Sequence, residues 1–193
     1  MKAHVYHVSS VCCYYIHQLR QIRRSLRLGA AYSLVRAMVH SRLDYGNGIL
    51  GNAPLCLVNS LQSVLRSAAR LVLRLPPWTS VTQLMRDQLH WLPVQQRITF
   101  KLCTLAFKCI HGLGPACLSR LCLGVSTVPA RSGLRSASSR HVLIPDTHVS
   151  TVRGRAFYYA CPVAWNSLPK TLTANKSLSL VGYKKHLKTF LFR

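Results

Sequence analysis

Residues 55–75 read LCLVNSLQSVLRSAARLVLRL, and in this stretch Leu57, Val58, Leu61, Val64, Leu65, Ala68, Leu71, Val72 and Leu75 recur at helical spacing as one apolar stripe. Arg66, Arg70 and Arg74 follow one another four residues apart on the other side, with no acidic partner on the same segment, so in isolation they repel one another weakly. Pro54 before the run and Pro76-Pro77 after it mark the limits of an amphipathic helix. A stripe this wide must be buried against something, and the chain is therefore expected to be mainly α.

Working outward, Ile16, Leu19, Ile22 and Leu26 give a second helical pattern over 15–28, with Arg20, Arg23, Arg24 and Arg27 on other faces. Gly29 is expected to end it, and a further helix over 30–43 carries Leu34, Val35, Met38 and Val39 before a turn at 44–48. Residues 1–13 read as a poorly defined N-terminal segment. Downstream, Thr79 or Ser80 is expected to cap a short helix through Leu84, Met85 and Leu89. The corner His90-Trp91-Leu92-Pro93 then leads into a helix over 94–110 so apolar that only Arg97, Lys101, Thr104 and Lys108 form a polar strip, which places that helix centrally in the core. His90 reads as part of a packed corner rather than as a catalytic base.

Composition shifts over 124–140, a Ser, Arg, Gly and Pro-rich basic linker without periodicity. Beyond it, HVLIP and THVSTV suit a small β-hairpin, followed by helices over 155–168 and 177–192. The last carries Lys184, Lys185 and Lys188 opposite Leu180, Tyr183, Leu187, Phe190 and Leu191. The expected organisation is an ill-defined segment 1–13, an irregular helical domain 14–123, the linker 124–140 and a C-terminal region 141–193.

The chain of 193 residues contains no glutamate; Asp44, Asp87 and Asp146 face 26 Lys and Arg, for a net charge of +23. Such a surface repels itself unless a polyanion screens it, which makes nucleic acid the first partner to consider. Chemistry by paired carboxylates or by two bound Mg²⁺ ions is not expected from three isolated aspartates. The eight cysteines, scattered except for Cys12-Cys13, read as reduced core residues. Cys109, His111, Cys117 and Cys122 come nearest to a zinc-ligand set, but their spacing matches no finger or knuckle. No nucleophile elbow and no phosphate-binding Gly-Lys-Ser/Thr loop occurs. No catalytic residue, metal or cofactor is therefore expected. No run qualifies as a membrane span and no signal-peptide core is intact, so the expectation is an intracellular protein, nuclear or cytoplasmic, without a membrane partner.

Taken in order, QLRQIRRSL, LVRAMVHSRLDYGN, LQSVLRSAARLV, QLHWLPVQQRITFK, FKCIHGLGPACLS, RSGLRSASS, GRAFYYACPVAWNSLP and YKKHLKTFLF resemble the C-terminal tail of LINE-type, non-LTR retrotransposon reverse transcriptases of the jockey and chicken-repeat branches. The resemblance runs from about Tyr14 to Phe192. It implies a mainly helical region beyond the polymerase palm and thumb that assists template and target handling, without the complete polymerase fold and without the paired aspartates of the polymerase centre. The chain departs from the family at Gly46, where Cys is usual, at Arg66 or Ser67, where Asn is common, and at 161–166. Gln88 and Thr99 stand where members often carry Glu.

The resulting expectation is a non-catalytic fragment of an RNA-directed DNA polymerase that binds RNA or single-stranded DNA. Arg20, Arg23, Arg24, Arg27, Arg66, Arg70, Arg74, Lys184, Lys185 and Lys188 would neutralise phosphates. Tyr14, Tyr15, Tyr158, Tyr159, Trp165 and Tyr183 would serve either to stack on unpaired bases or as core and rim residues. The alternative is an interaction module, or a decayed remnant, whose apolar stripe packs on a polymerase domain supplied in trans.

Overall fold

The computed structural model describes residues 1–125, 141–145, 156–173 and 178–192. Most of the expected linker and the second strand of the expected hairpin lie outside the described residues. Among the described residues the chain is mainly helical; the only β pairing is an isolated antiparallel bridge between Gly124 and Val142.

The first helix, α1 (Lys2–Ile22), starts well before the expected boundary, and residues 2–13 are part of it rather than an ill-defined segment. Val5, Cys12, Ile16 and Leu19 are buried along it, a helical spacing that the intervening His and Ser residues obscured. A single 3₁₀ turn (Arg23–Ser25) follows, and Leu26 is extended. The break falls there and not at Gly29, which lies inside α2 (Leu28–Val35). A π turn (Arg36–His40) joins α2 to α3 (Ser41–Asp44), and a 3₁₀ turn (Asn47–Leu50) follows Gly46 at φ +64°.

Next comes α4 (Leu55–Leu73), whose buried residues Leu57, Val58, Leu61, Val64, Leu65, Ala68, Leu71 and Val72 are eight of the nine expected stripe positions, joined by Ala69, while Leu75 lies past the helix end and is half-buried. It is followed by α5 (Thr82–Asp87), preceded by Val81 with no side-chain cap, so neither Thr79 nor Ser80 plays the expected part. The remaining helices are α6 (Val94–Ile110), α7 (Ala116–Ser119), α8 (Phe157–Asn166), α9 (Lys170–Thr173) and α10 (Leu180–Leu191). No helix among the described residues is long and apolar enough to cross a membrane.

The chain divides into two compact units, Met1–Asn47 with Ala53–Arg97, and Gly48–Asn52 with Ile98–Arg193. The boundaries therefore differ from the expected break at residue 124. In the first unit α1 lies along α4, and α2 and the π turn also pack on α4. The apolar stripe of α4 is thus covered from within the unit, with Leu65, Ala68 and Val72 wholly inaccessible. Burying stripes of this kind is the main favourable term for such a bundle, at roughly 1.5–3 kcal/mol per large aliphatic side chain.

The second unit has a different centre. Trp165 and Tyr183 are fully buried, Phe107 and Tyr183 stack with centroids 4.2 Å apart, and the Tyr183 hydroxyl donates to the Cys103 carbonyl at 3.4 Å. Trp165 and Tyr183 are therefore core rings. Thr104, placed on the polar strip from sequence, is buried with its hydroxyl unpaired among the described residues. Asn166 grips Val142 as a neighbouring strand would, donating to its carbonyl at 2.8 Å and accepting from its N–H at 3.0 Å. Gly51 sits so close to Ala160 that a Cβ there would lie 2.8 Å from the Ala160 methyl.

Candidate nucleic-acid interface

Helix α4 ends in a left-handed residue that is not glycine. Arg74 sits at φ 56°, ψ 39°, and the next amide, Leu75 N–H, bonds back to the Arg70 carbonyl at 2.9 Å. This is the geometry in which glycine is usual, because any Cβ is disfavoured there. The last carbonyls of the helix are left to be satisfied from outside.

Arg23 satisfies them. Its Nε donates to the Leu71 carbonyl at 2.8 Å and its Nη2 to the Val72 carbonyl at 2.6 Å, while Nη1 reaches the Leu26 carbonyl at 2.9 Å. A cation at a helix C-terminus meets the negative end of the backbone dipoles, so the placement is favourable in charge as well as in geometry. Arg74 answers in the other direction, donating through Nη2 to the carbonyls of Arg23, Arg24 and Leu26 at 3.2–3.4 Å. The ends of α1 and α4 are thus tied by reciprocal arginine caps. Burial, and secondly the charge of Arg74, lower the Arg23 pKa.

This changes the standing of the sequence-derived cations. Arg23 is 7% exposed and its guanidinium is committed to backbone carbonyls. Around it, Arg20, Arg24, Arg70 and Arg74 line a single cavity of about 410 Å³, completed by Leu71, Leu75 and Pro77. Two clusters that are separate in sequence, 20–24 and 70–74, are therefore one site. The lining contains no carboxylate. Arg20 and Arg24 are exposed and have no side-chain hydrogen bond or ion pair with any described residue, whereas Arg70 Nε donates to the Thr79 carbonyl at 3.1 Å.

Arg27 and Arg66 are exposed but outside this cavity, and Lys184, Lys185 and Lys188 lie on α10 in the second unit, the first of them half-buried. Lys188 Nζ stands 5.5 Å from the Phe192 ring centroid. Of the tyrosines read beside basic runs, Tyr14 is exposed and Tyr15 lies beneath Arg42, whose guanidinium is 5.0 Å from the ring centroid.

A second cavity of about 480 Å³ in the first unit is lined in part by His4, His7, Tyr15, Arg42 and Tyr45. Sequence reasoning passed over it because it takes four residues, His4, His7, Val8 and Val11, from the segment read as ill-defined. Beyond it, Arg97 holds Asp44 in the one ion pair found among the described residues, at 3.0 Å, and also donates to the Leu92 carbonyl at 2.8 Å. Its Nη2 faces His40 Nδ1 at 3.3 Å. His40 is buried edge-on against Trp91, and burial, helped by Arg97 and Arg36, pushes its pKa down to about 3. The corner before α6 keeps Trp91 and Leu92 inside, while His90 itself, at φ +51°, is exposed.

Five cysteines, Cys12, Cys103, Cys109, Cys122 and Cys161, are buried; Cys13, Cys56 and Cys117 are exposed, and none is paired in a disulfide. Cys122 and Cys161 are in sulfur contact at 3.7 Å. The shared hydrogen bond lowers the pKa of Cys122, while that bond and burial raise that of Cys161. Among the described residues no group of three or more His, Cys, Asp or Glu side chains is placed to hold a metal ion. Compared with known protein families, with characterised proteins and with solved structures, the chain matches none.

Proposed function

We propose that the chain is a non-catalytic fragment of the C-terminal tail of a LINE-type reverse transcriptase, binding RNA or single-stranded DNA through the basic faces of its helices. The observation that carries the binding half of this reading is the convergence of Arg20, Arg24, Arg70 and Arg74 on one cavity without a carboxylate in its lining. Guanidinium forks match phosphate oxygens bidentately and remain charged at any working pH. Arg27 and Arg66 in the first unit, and Lys185 and Lys188 in the second, are further exposed cations. The family half rests on the ordered motifs in the sequence.

The test is a salt titration of binding to a 20-nucleotide single strand bearing a 5′-hydroxyl. With six or more cations engaged, log affinity should fall against log salt with a slope of magnitude about 4 or greater, at about 0.7 per single-strand phosphate. Binding that ignores salt would overturn the reading. The rival view, an interaction module whose α4 stripe docks on a polymerase domain in trans, has less support, because that stripe is buried against α1 and α2.

A further inference from the structure

We infer that the arginine cavity at the joined ends of α1 and α4 is a site for an oligophosphate, two or three contiguous phosphates of a nucleotide or of an RNA 5′ end, rather than for a passing strand. The RNA source of that ligand rests on the nucleic-acid reading above. Arg20, Arg24, Arg70 and Arg74, with Arg23 beneath them, line a half-open space of about 410 Å³, large enough to take a small ligand. An internal phosphodiester brings one charge per nucleotide. A 5′-triphosphate packs its charges onto contiguous phosphates, and only that density suits so many cations in so small a volume.

The donors are arranged as a clamp. Arg20 and Arg24 stand on one side with their guanidinium groups uncommitted, while Arg70 and Arg74 stand on the other, each partly held by backbone carbonyls. Arg23 beneath them fixes the carbonyls of both chain ends. Arg74 reaches its place only by occupying the left-handed conformation that glycine would take without strain. Leu71, Leu75 and Pro77 add an apolar wall against which a ribose or base attached to the phosphates rests.

The test measures binding of the full chain, at fixed ionic strength, to inorganic tripolyphosphate, to ATP, and to one short RNA carrying either a 5′-triphosphate or a 5′-hydroxyl. The triphosphorylated RNA should bind at least about tenfold tighter than its 5′-hydroxyl form, and tripolyphosphate should compete with it. Arg20→Ala with Arg24→Ala should abolish that preference, Arg20→Lys with Arg24→Lys should restore part of it, and Arg86→Ala, at an exposed cation of the same unit outside the cavity, should leave it intact. Equal affinity for both RNA ends, with no effect of tripolyphosphate, overturns the proposal while salt-dependent strand binding stands. Binding of tripolyphosphate and ATP without strand binding upholds the oligophosphate site, assigns it to free nucleotide and overturns the nucleic-acid reading. A preference lost equally in Arg86→Ala also overturns the proposal, because the charge would then act diffusely.

Discussion

The two units of this chain solve the problem of a basic sequence in opposite ways. In the first, cations are built into the frame: Arg23, Arg70, Arg74 and Arg97 all donate to main-chain carbonyls, and only Arg97 also meets a carboxylate. In the second, the centre is made of rings and thiols, with Phe107 on Tyr183 and Cys122 against Cys161. The difference teaches that where acidic side chains are missing, the carbonyls at helix C-termini become the counter-charges. It also separates the units by degree, since backbone carbonyls do not titrate and thiols do: the first unit buries one thiol, Cys12, which burial pushes up to about 11, and the second buries Cys103, Cys109, Cys122 and Cys161.

The largest expected effect comes from driving the two units apart with pH. In the first, His40 is held neutral down to about 3, whereas in the unfolded chain it takes a proton near 6.5. As pH falls through that window the unfolded state binds a proton that the native state refuses, and stability of roughly 5 kcal/mol is lost. In the second, burial pushes the thiols of Cys103 and Cys109 up to about 12 and about 11. Their contribution is complete below the unfolded value near 9 and is lost as pH rises toward the folded values. Hydrogen exchange resolved by segment should therefore show α4 opening first in acid and α10 first in base, and simultaneous opening at both extremes would erase the distinction.

Next in size is Arg23→Met, which leaves the Val72 carbonyl without its donor and the Leu71 carbonyl with only the 3.4 Å bond from Arg74 N–H, and should destabilise the first unit by about 3 kcal/mol. Urea unfolding followed by α4 exchange measures it; a change under about 0.5 kcal/mol would mean that the caps are decorative. Gly51→Ala is the counterpart in the second unit, where a methyl must displace Ala160, and about 1–3 kcal/mol of overpacking is expected there alone. The smallest effect belongs to Arg74→Gly. Relief of the left-handed backbone offsets the lost hydrogen bonds, so stability should stay within about 1 kcal/mol while affinity for tripolyphosphate falls. Loss of stability without loss of affinity would assign Arg74 to the frame alone.

Local periodicity carried most of the helices. The α4 stripe and the lysine face of α10 could be read directly because apolar and charged residues there alternate at helical spacing. The first turns of α1 were not legible, since His4, His7, Ser9 and Ser10 hide the register of Val5 and Cys12. Nor could any pattern show Arg23 turning inward, because its acceptors lie 48 and 49 residues away. For the same reason the arginines at 20–24 and 70–74 read as two stripes, and only the pairing of α1 with α4 makes them one cavity. Thr104 failed differently: its place on the helix was right, but the neighbour that covers it is tertiary.

The reciprocal caps mean that the cavity does not exist until two segments some fifty residues apart have met. An unfolded chain cannot offer that constellation, so an anion that fits it binds the native state more tightly than the unfolded one and shifts the folding equilibrium by mass action. At a hundred times its dissociation constant such a ligand adds about 2.7 kcal/mol. The melting temperature of the first unit thereby becomes a gauge of its own ligand, rising with each anion in proportion to how well that anion fits.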